Sequence, residues 1–308
     1  MSSIINPKSM INFGTATQDQ LLYLDKKQIE LILKVEPKAH IRIYSSEETA
    51  NRVLSIIQKR EKGALARFGD GDTRIANGLC SRTHRNAGNI KNLQKDMKES
   101  FGINHPNYLR SLCLYFEDYA TRLKSVVSVQ RIYDKIQREI QTTSKLWVGP
   151  RSIYSPYSMI WLLHENEDRF CQYMYNISHA VDNIIFVGNK NIPYSLVQSL
   201  FYNQILQDRV IECPVTNAGL VFEDIWKSID SKMKELRGYT LVVLCCGNTG
   251  RALCGRLWKS NYNRNYFVLD YGSLIDGLAG YTTRSWIKGS KICTKEYRRE
   301  LFNRMKNK

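Results

Sequence analysis

Three places in this chain combine oxygen-rich side chains with glycines that let a backbone turn around a ligand. The first is Arg67-Phe68-Gly69-Asp70-Gly71-Asp72, where an apolar run ends in two glycines and two carboxylates one residue apart. Asp70 and Asp72 on such a turn can offer hard oxygen ligands to Mn2+ or Mg2+, which bridges phosphates. A plain Asp/Gly turn has the same letters. The second is Cys245-Cys246-Gly247-Asn248-Thr249-Gly250-Arg251, where the apolar run Thr240 to Leu244 enters a glycine turn and then a helical pattern. Backbone N–H groups and the positive dipole end at a helix start attract phosphate, and Thr249 and Arg251 can add side-chain donors. Neither Gly-Lys-Ser/Thr nor G-x-G-x-x-G is present, so an ordinary strand-to-helix turn capped by Thr249 is the competing reading. The third is Asp270-Tyr271-Gly272-Ser273, twenty residues beyond Gly250, with Asp276 shortly after. An acidic side chain there can hold a ribose hydroxyl, orient an acceptor or act as a base, or can simply cap a turn.

Two weaker signals accompany these. Arg284 beside Trp286 suits gripping a diphosphate or stacking a base, or is an exposed Arg next to a buried Trp, and Asn217 after Cys213-Pro214 can hydrogen-bond a uracil or a sugar, or cap a helix beginning near Gly219. The five histidines, at 40, 84, 105, 164 and 179, have no triad or metal spacing.

The elements that must position these residues follow a βα rhythm. A helix from Ser45 or Ser46, with Glu47 and Glu48 in its first turn, runs to about Lys62 and leads into a short buried strand, Ala64 to Phe68. Further strands are predicted at Lys145 to Val148, Asn183 to Val187, Arg209 to Cys213, Tyr239 to Cys245 and Tyr266 to Asp270. Helices are predicted between them at Tyr157 to Glu165, Pro193 to Leu206, Gly219 to Leu236 and Thr249 to Lys259. Short apolar runs alternating with longer helical patterns predict a Rossmann-like, mostly parallel α/β sheet covered by helices on both faces. In such sheets ligands bind at the carboxyl ends of the strands, where all three motifs fall. Residues 1–44 read as a helical extension, 45–290 as the main domain with a helical insertion at about 82–144, and 291–308 as a basic C-terminal helix.

Composition narrows the partners. The chain has 308 residues, 43% of them hydrophobic and 24% charged, as a folded protein does. Its net charge of +16 favours polyanions, and Arg284 to Lys308 holds nine Lys or Arg against two Glu. No nucleic-acid-binding signature accompanies that charge, so nucleic acid is not the expected partner. The tail, with Tyr297, Leu301 and Met305 on one side, is expected to lie against an anionic membrane or acceptor. The eight cysteines lack paired C-x-x-C spacing and are expected to be reduced. No apolar run approaches the ~18 residues of a membrane span, and the expected location is cytoplasmic, with peripheral membrane contact.

Taken in order, these strand ends resemble the glycosyltransferases of the GT-D fold. The resemblance spans about Ser45 to Trp286 and rests on the Arg67 to Asp72 run, Cys213-Pro214 with Asn217-Ala218, Gly247 to Gly250, and Asp270 to Ser273. Family members usually carry Arg-Phe-Gly-Asp-Gly-Glu, so Asp72 stands where their metal-binding Glu stands. Their Gly-Pro-Thr-Ala is matched here at Thr249 but not at Asn248 or Gly250. Their Asp-x-Gly is matched at Asp270, while the His-Ile-Asp that often follows gives way to Ser273-Leu274-Ile275, with Asp276 one place later. The resemblance implies a metal-dependent glycosyltransferase moving a sugar from a nucleotide-sugar, a UDP-sugar by type, to an acceptor hydroxyl of a glycan or glycoconjugate. It implies metal ligands at Asp70 and Asp72 and donor contacts at Arg67, Gly69, Asn217, Gly247, Asn248, Thr249, Gly250, Arg251 and Arg284. Asp270 or Asp276 would orient or deprotonate the acceptor. The rival readings are a Rossmann methyltransferase or dehydrogenase using the Gly247 loop and Asp270, and a basic nucleic-acid-binding protein.

Overall fold

A computed structural model of the chain describes residues 41–44, 46–79, 90–112, 151–156, 158–283, 287 and 290–307. Its centre is a six-stranded parallel sheet of β2 (Gly63–Phe68), β3 (Tyr108–Leu112), β5 (Asn183–Asn189), β6 (Val210–Cys213), β7 (Thr240–Cys245) and β8 (Tyr266–Asp270). The spatial order is β3-β2-β8-β7-β5-β6, and every pairing is parallel. A two-stranded parallel pair, β1 (Ile41–Ile43) with β4 (Arg151–Ile153), is tied to β3 by a bridge between Ser111 and Tyr154.

The helices are α1 (Ser46–Gln58), α2 (Asp70–Ala76), α3 (Lys91–Gly102), α4 (Ser158–Glu165), α5 (Glu167–His179) and α6 (Tyr194–Leu200), then α7 (Phe222–Glu235), α8 (Asn248–Lys259), α9 (Leu274–Leu278) and α10 (Lys295–Lys306). Every residue of β2, β5, β7 and β8 is buried, because helices cover both faces of the sheet. Alternate strand residues feed two cores. Leu65, Phe186, Val243 and Phe267 pack on one side with α1 and α5, whereas Ala66, Val187, Leu244 and Val268 pack on the other with α3, α7 and α8.

The Rossmann-like parallel sheet is therefore present as expected. The strands at Asn183, Val210, Thr240 and Tyr266 begin within a residue of their predicted starts.

Several expectations need correction. Of the expected helical insertion at about 82–144, residues 82–89 and 113–144 lie outside the described residues; the rest supplies α3, as expected, but also β3, which pairs with β2 along Tyr108 to Leu112. Its mixed Tyr-Leu-Arg-Ser-Leu lettering carries no alternation, because the strand is buried on both faces and covered by β4. Between the expected strand at Lys145 to Val148 and the expected helix from Tyr157, the structure places β4. Helix α5 was not anticipated, although Asn166 caps it through a 3.0 Å bond from the Arg169 N–H and Phe170, Met174 and Ile177 follow at helical spacing. Helix α6 stops at Leu200, six residues short, because Tyr202 and Asn203 take left-handed φ of 50° and 60°.

The C-terminal helix is also placed differently from expectation. Leu301 and Met305 are 0% and 1% exposed and join the core beside α5 and α6, so the side expected to meet a membrane faces inward. Lys291 and Arg304 pair with Glu167 on α5 and hold the segment there. No helix among the described residues is long and apolar enough to cross a membrane. Cys171, Cys213, Cys245, Cys246 and Cys254 are free and buried. Of the expected helical extension at 1–44, residues 1–40 lie outside the described residues and Ile41–Ile43 form the strand β1; the strand at 145–148, and Arg284 with Trp286, also lie outside them.

Candidate functional site

The carboxyl ends of the adjacent strands β2, β8 and β7 bring Arg67, Asp72, Asn248, Arg251 and Asp270 together. The Asp-Gly-Asp run is not a free turn. It opens α2, with Gly69 as the extended N-cap and Asp72 three residues in. Asp72 Oδ2 accepts the Gly69 N–H at 2.6 Å, the carboxylate half of a capping box whose other half a glycine cannot supply. Its Oδ1 accepts from Asn248 Nδ2, also at 2.6 Å. Asp72 is 1% exposed, and burial pushes its carboxyl up to about 6 against the opposing pull of Arg251, Asn248 and the Gly69 N–H. The side chain of Asp70 is outside the described residues, although its backbone begins the helix.

Arg251 joins the three strand ends. Its Nε lies 3.0 Å from Asp270 Oδ2, 3.6 Å from Asp72 Oδ2 and 2.7 Å from the Arg67 carbonyl oxygen. Its Nη1 donates to the Gly247 carbonyl. Asp270, 1% exposed, also accepts the Arg67 N–H at 3.2 Å. The first turn of α8 is anchored from behind, where Ser100 Oγ donates to the Arg251 carbonyl at 2.7 Å.

Arg67 is 9% exposed and donates from Nη1 to the Tyr271 carbonyl at 2.8 Å, while its Nε has no hydrogen-bond partner. Gly272 lies against this guanidinium at φ +64°, and a Cβ there would collide with Arg67 Nη1. At the head of α8, Gly247 has φ 61° and ψ −140°, a conformation essentially reserved for glycine. Thr249 Oγ1, on a residue 0% exposed, also has no partner. Buried polar atoms are normally satisfied, so these two orphans, Thr249 Oγ1 in the first turn of α8 and Arg67 Nε at the end of β2, stand out at the carboxyl ends of the strands.

The remaining predicted residues stand further out. Asp276, partly exposed on α9, accepts from the Thr283 hydroxyl at 2.9 Å. Asn217 has φ 57° at the end of β6, a strand separated from β7 by β5, and starts the 3-10 turn Ala218–Val221 that packs beside α8. The thiols of Cys245, Cys246 and Cys254 are raised well above their usual range by burial, so they stay protonated and act as apolar filling. Two roles escaped the sequence reading. Asp72 is a helix-capping group, a signal carried by a carboxylate three residues after Gly69, and Tyr271 uses its carbonyl, which no side-chain motif records.

Of the two carboxylates expected to hold a metal, Asp70 has its side chain outside the described residues, and a divalent cation at Asp72 would have to share its oxygens with Arg251. Both Asp72 oxygens already accept hydrogen bonds, and the neighbouring carboxylate, Asp270, is paired with Arg251. Among the described residues no three His, Cys, Asp or Glu form a cluster able to hold a metal.

No family model matches the chain, and no curated protein matches it. Solved structures do. A selenomethionine-substituted structure of domain of unknown function 1792 superposes with a TM-score of 0.55 at 14% identity, covering 81% of this chain and 83% of that one. A second, reported as that domain having a distinct glycosyltransferase fold, gives 0.53 at 14% identity over 80% and 82%. A third, described as a new glycosyltransferase from Streptococcus sanguinis, gives 0.53 at 17% identity over 77% and 82%. This chain has that glycosyltransferase fold.

Proposed function

We propose that the chain is a glycosyltransferase moving a sugar from a nucleotide-sugar, a UDP-sugar by type, to an acceptor hydroxyl of a glycan or glycoconjugate. The observation that carries this reading is the buried, unpartnered Thr249 hydroxyl in the first turn of α8, at the end of β7 where Gly247 takes a φ of 61°. The likeness to structures described as glycosyltransferases supports it.

In this reading the N–H groups at the start of α8, the Thr249 hydroxyl and Arg67 receive the donor diphosphate. Arg251 holds Asp72 and Asp270 so that the strand ends keep their spacing. As the bond from the anomeric carbon to phosphate breaks, negative charge grows on the departing nucleoside diphosphate. The N–H groups at the start of α8 are fixed in place and need no rearrangement to stabilise it. The acceptor oxygen forms the new bond to the anomeric carbon, and its proton passes to Asp276, which is partly exposed at the same edge of the sheet. Asp270 is a positioning residue here, since its carboxylate is committed to Arg251 and the Arg67 N–H. That commitment also disfavours a methyltransferase or dehydrogenase, which would need Asp270 for a ribose hydroxyl. The exposed Lys295, Arg299 and Lys306 on α10 meet an anionic acceptor or membrane face by charge alone.

The test is a nucleotide-sugar hydrolysis screen of wild type and Asp276→Asn, with donor binding measured alongside. One donor should be turned over by wild type, and the variant should bind it equally while turning it over more slowly. A protein that binds S-adenosylmethionine or NAD and no nucleotide-sugar would refute the reading.

A further inference from the structure

We infer that Arg251 occupies the cation position of this site, so that nucleoside diphosphate binding needs no divalent metal held by Asp72 and Asp270. The inference rests on the glycosyltransferase reading for its ligand, and on the geometry alone for its cation.

The guanidinium of Arg251 is surrounded by oxygens. Nε faces Asp270 Oδ2 at 3.0 Å, Asp72 Oδ2 at 3.6 Å and the Arg67 carbonyl at 2.7 Å, and Nη1 reaches the Gly247 carbonyl. Two carboxylates and two carbonyls are the donor set a hard divalent ion recruits. Here that set is filled by a side chain that carries a permanent charge and cannot dissociate. Arg251 is itself well shielded, with its side chain 14% exposed, so a metal ion entering this set would have to displace it.

Each Asp72 oxygen has a second claim on it. The Gly69 N–H and the Asn248 amide both donate at 2.6 Å and fix the carboxylate's orientation, so a cation could reach only the remaining lone pairs, on the side where Arg251 Nε already stands 3.6 Å from Oδ2. Turning the carboxylate toward a cation elsewhere would strain the Gly69 bond that caps α2 and the Asn248 bond that holds the first residue of α8. The same side chains therefore serve two helix starts and one internal ion pair. The positive environment for the diphosphate is built in through Arg67, Arg251 and the α8 N-terminus.

Two measurements decide this. In the first, Mn2+ alone is titrated into wild type and Asp72→Asn, with free Mn2+ read by electron paramagnetic resonance. The two proteins should give the same curve, without stoichiometric uptake. Arg251→Met, if it folds, should gain Mn2+ uptake as the oxygen set is vacated, and Arg251→Lys should not. Stoichiometric uptake by wild type that Asp72→Asn abolishes would overturn the inference, as would a folded Arg251→Met that takes up no more Mn2+ than wild type.

In the second, UDP binding is measured by calorimetry in chelator and in Mn2+. The dissociation constants should agree within about twofold. Binding that disappears in chelator would overturn the inference. If UDP binds in neither condition, the glycosyltransferase reading fails, and the Mn2+ titration still decides the cation position.

Discussion

Replacing Asp72 by Asn should make the protein more stable relative to wild type as the pH rises. The carboxyl is buried, and its pKa moves from an ordinary 3.8 to about 6 in the folded chain. Burial, which disfavours the charge, outweighs the pull of Arg251, Asn248 and the Gly69 N–H. An acid with a raised folded pKa is favoured protonated, so its contribution to stability is complete below the unfolded value and is lost as pH rises through the folded one. Asn keeps an oxygen for the Gly69 N–H, and Asn248 can turn its amide to meet the new NH2. At 1.36 kcal/mol per pKa unit, the stability of Asp72→Asn minus that of wild type should rise by about 2 kcal/mol between about pH 4.5 and 7.5. The difference must be taken, because His164 titrates over the same window with the opposite sign. Burial lowers His164 to about 4, so its neutral form stabilises the fold above the usual histidine range and that contribution is lost as pH falls. Urea unfolding of both proteins across this range provides the measurement. A difference that stays constant with pH, or that falls as pH rises, would refute the account of Asp72 as a buried capping carboxylate.

Other consequences follow from the packing. Gly255 on α8 meets α3 so closely that a Cβ would lie 2.6 Å from Ser100 Cβ and 2.8 Å from its Cα. Gly255→Ala should therefore lose about 1–3 kcal/mol in denaturant unfolding, despite the better helix propensity of alanine. Gly272→Ala should weaken UDP binding in calorimetry more than it lowers thermal stability, because the added Cβ displaces Arg67 from the site and strains a left-handed φ. Leu301→Ala should cost about 2–5 kcal/mol, since the side chain is fully buried, and removing 294–308 should lower the melting temperature before it affects any membrane contact.

The sheet was legible in the sequence wherever a strand is buried on both faces and apolar throughout. Val-Val-Leu at 242–244 and Phe-Val-Leu at 267–269 have no polar face to disguise them. β3 was hidden because Arg110 and Ser111 interrupt it. Both are buried, and each is satisfied by a hydrogen bond, Arg110 to the Phe101 carbonyl and Ser111 to the Ala66 carbonyl. Such bonds join residues far apart in the sheet or across a helix end and leave no periodicity to read. At the site, the motifs correctly marked the strand ends. What they could not convey is that Asp72 points back to cap its own helix. Nor could they convey that Arg251 reaches across to Asp270, a contact set by the close approach of β2, β8 and β7. The basic tail shows the limit of amphipathic patterning, because Leu301 and Met305 at helical spacing suit a membrane surface and a protein core equally.

The most direct test of the proposed function is a crystal structure of the chain with UDP, grown in chelator. The account predicts the diphosphate at the start of α8, within hydrogen-bond reach of the Gly247 to Thr249 backbone, Thr249 Oγ1 and Arg67. A nucleotide bound away from the ends of β2, β8 and β7, or no nucleotide at concentrations where nucleotide-sugars are turned over, would contradict it.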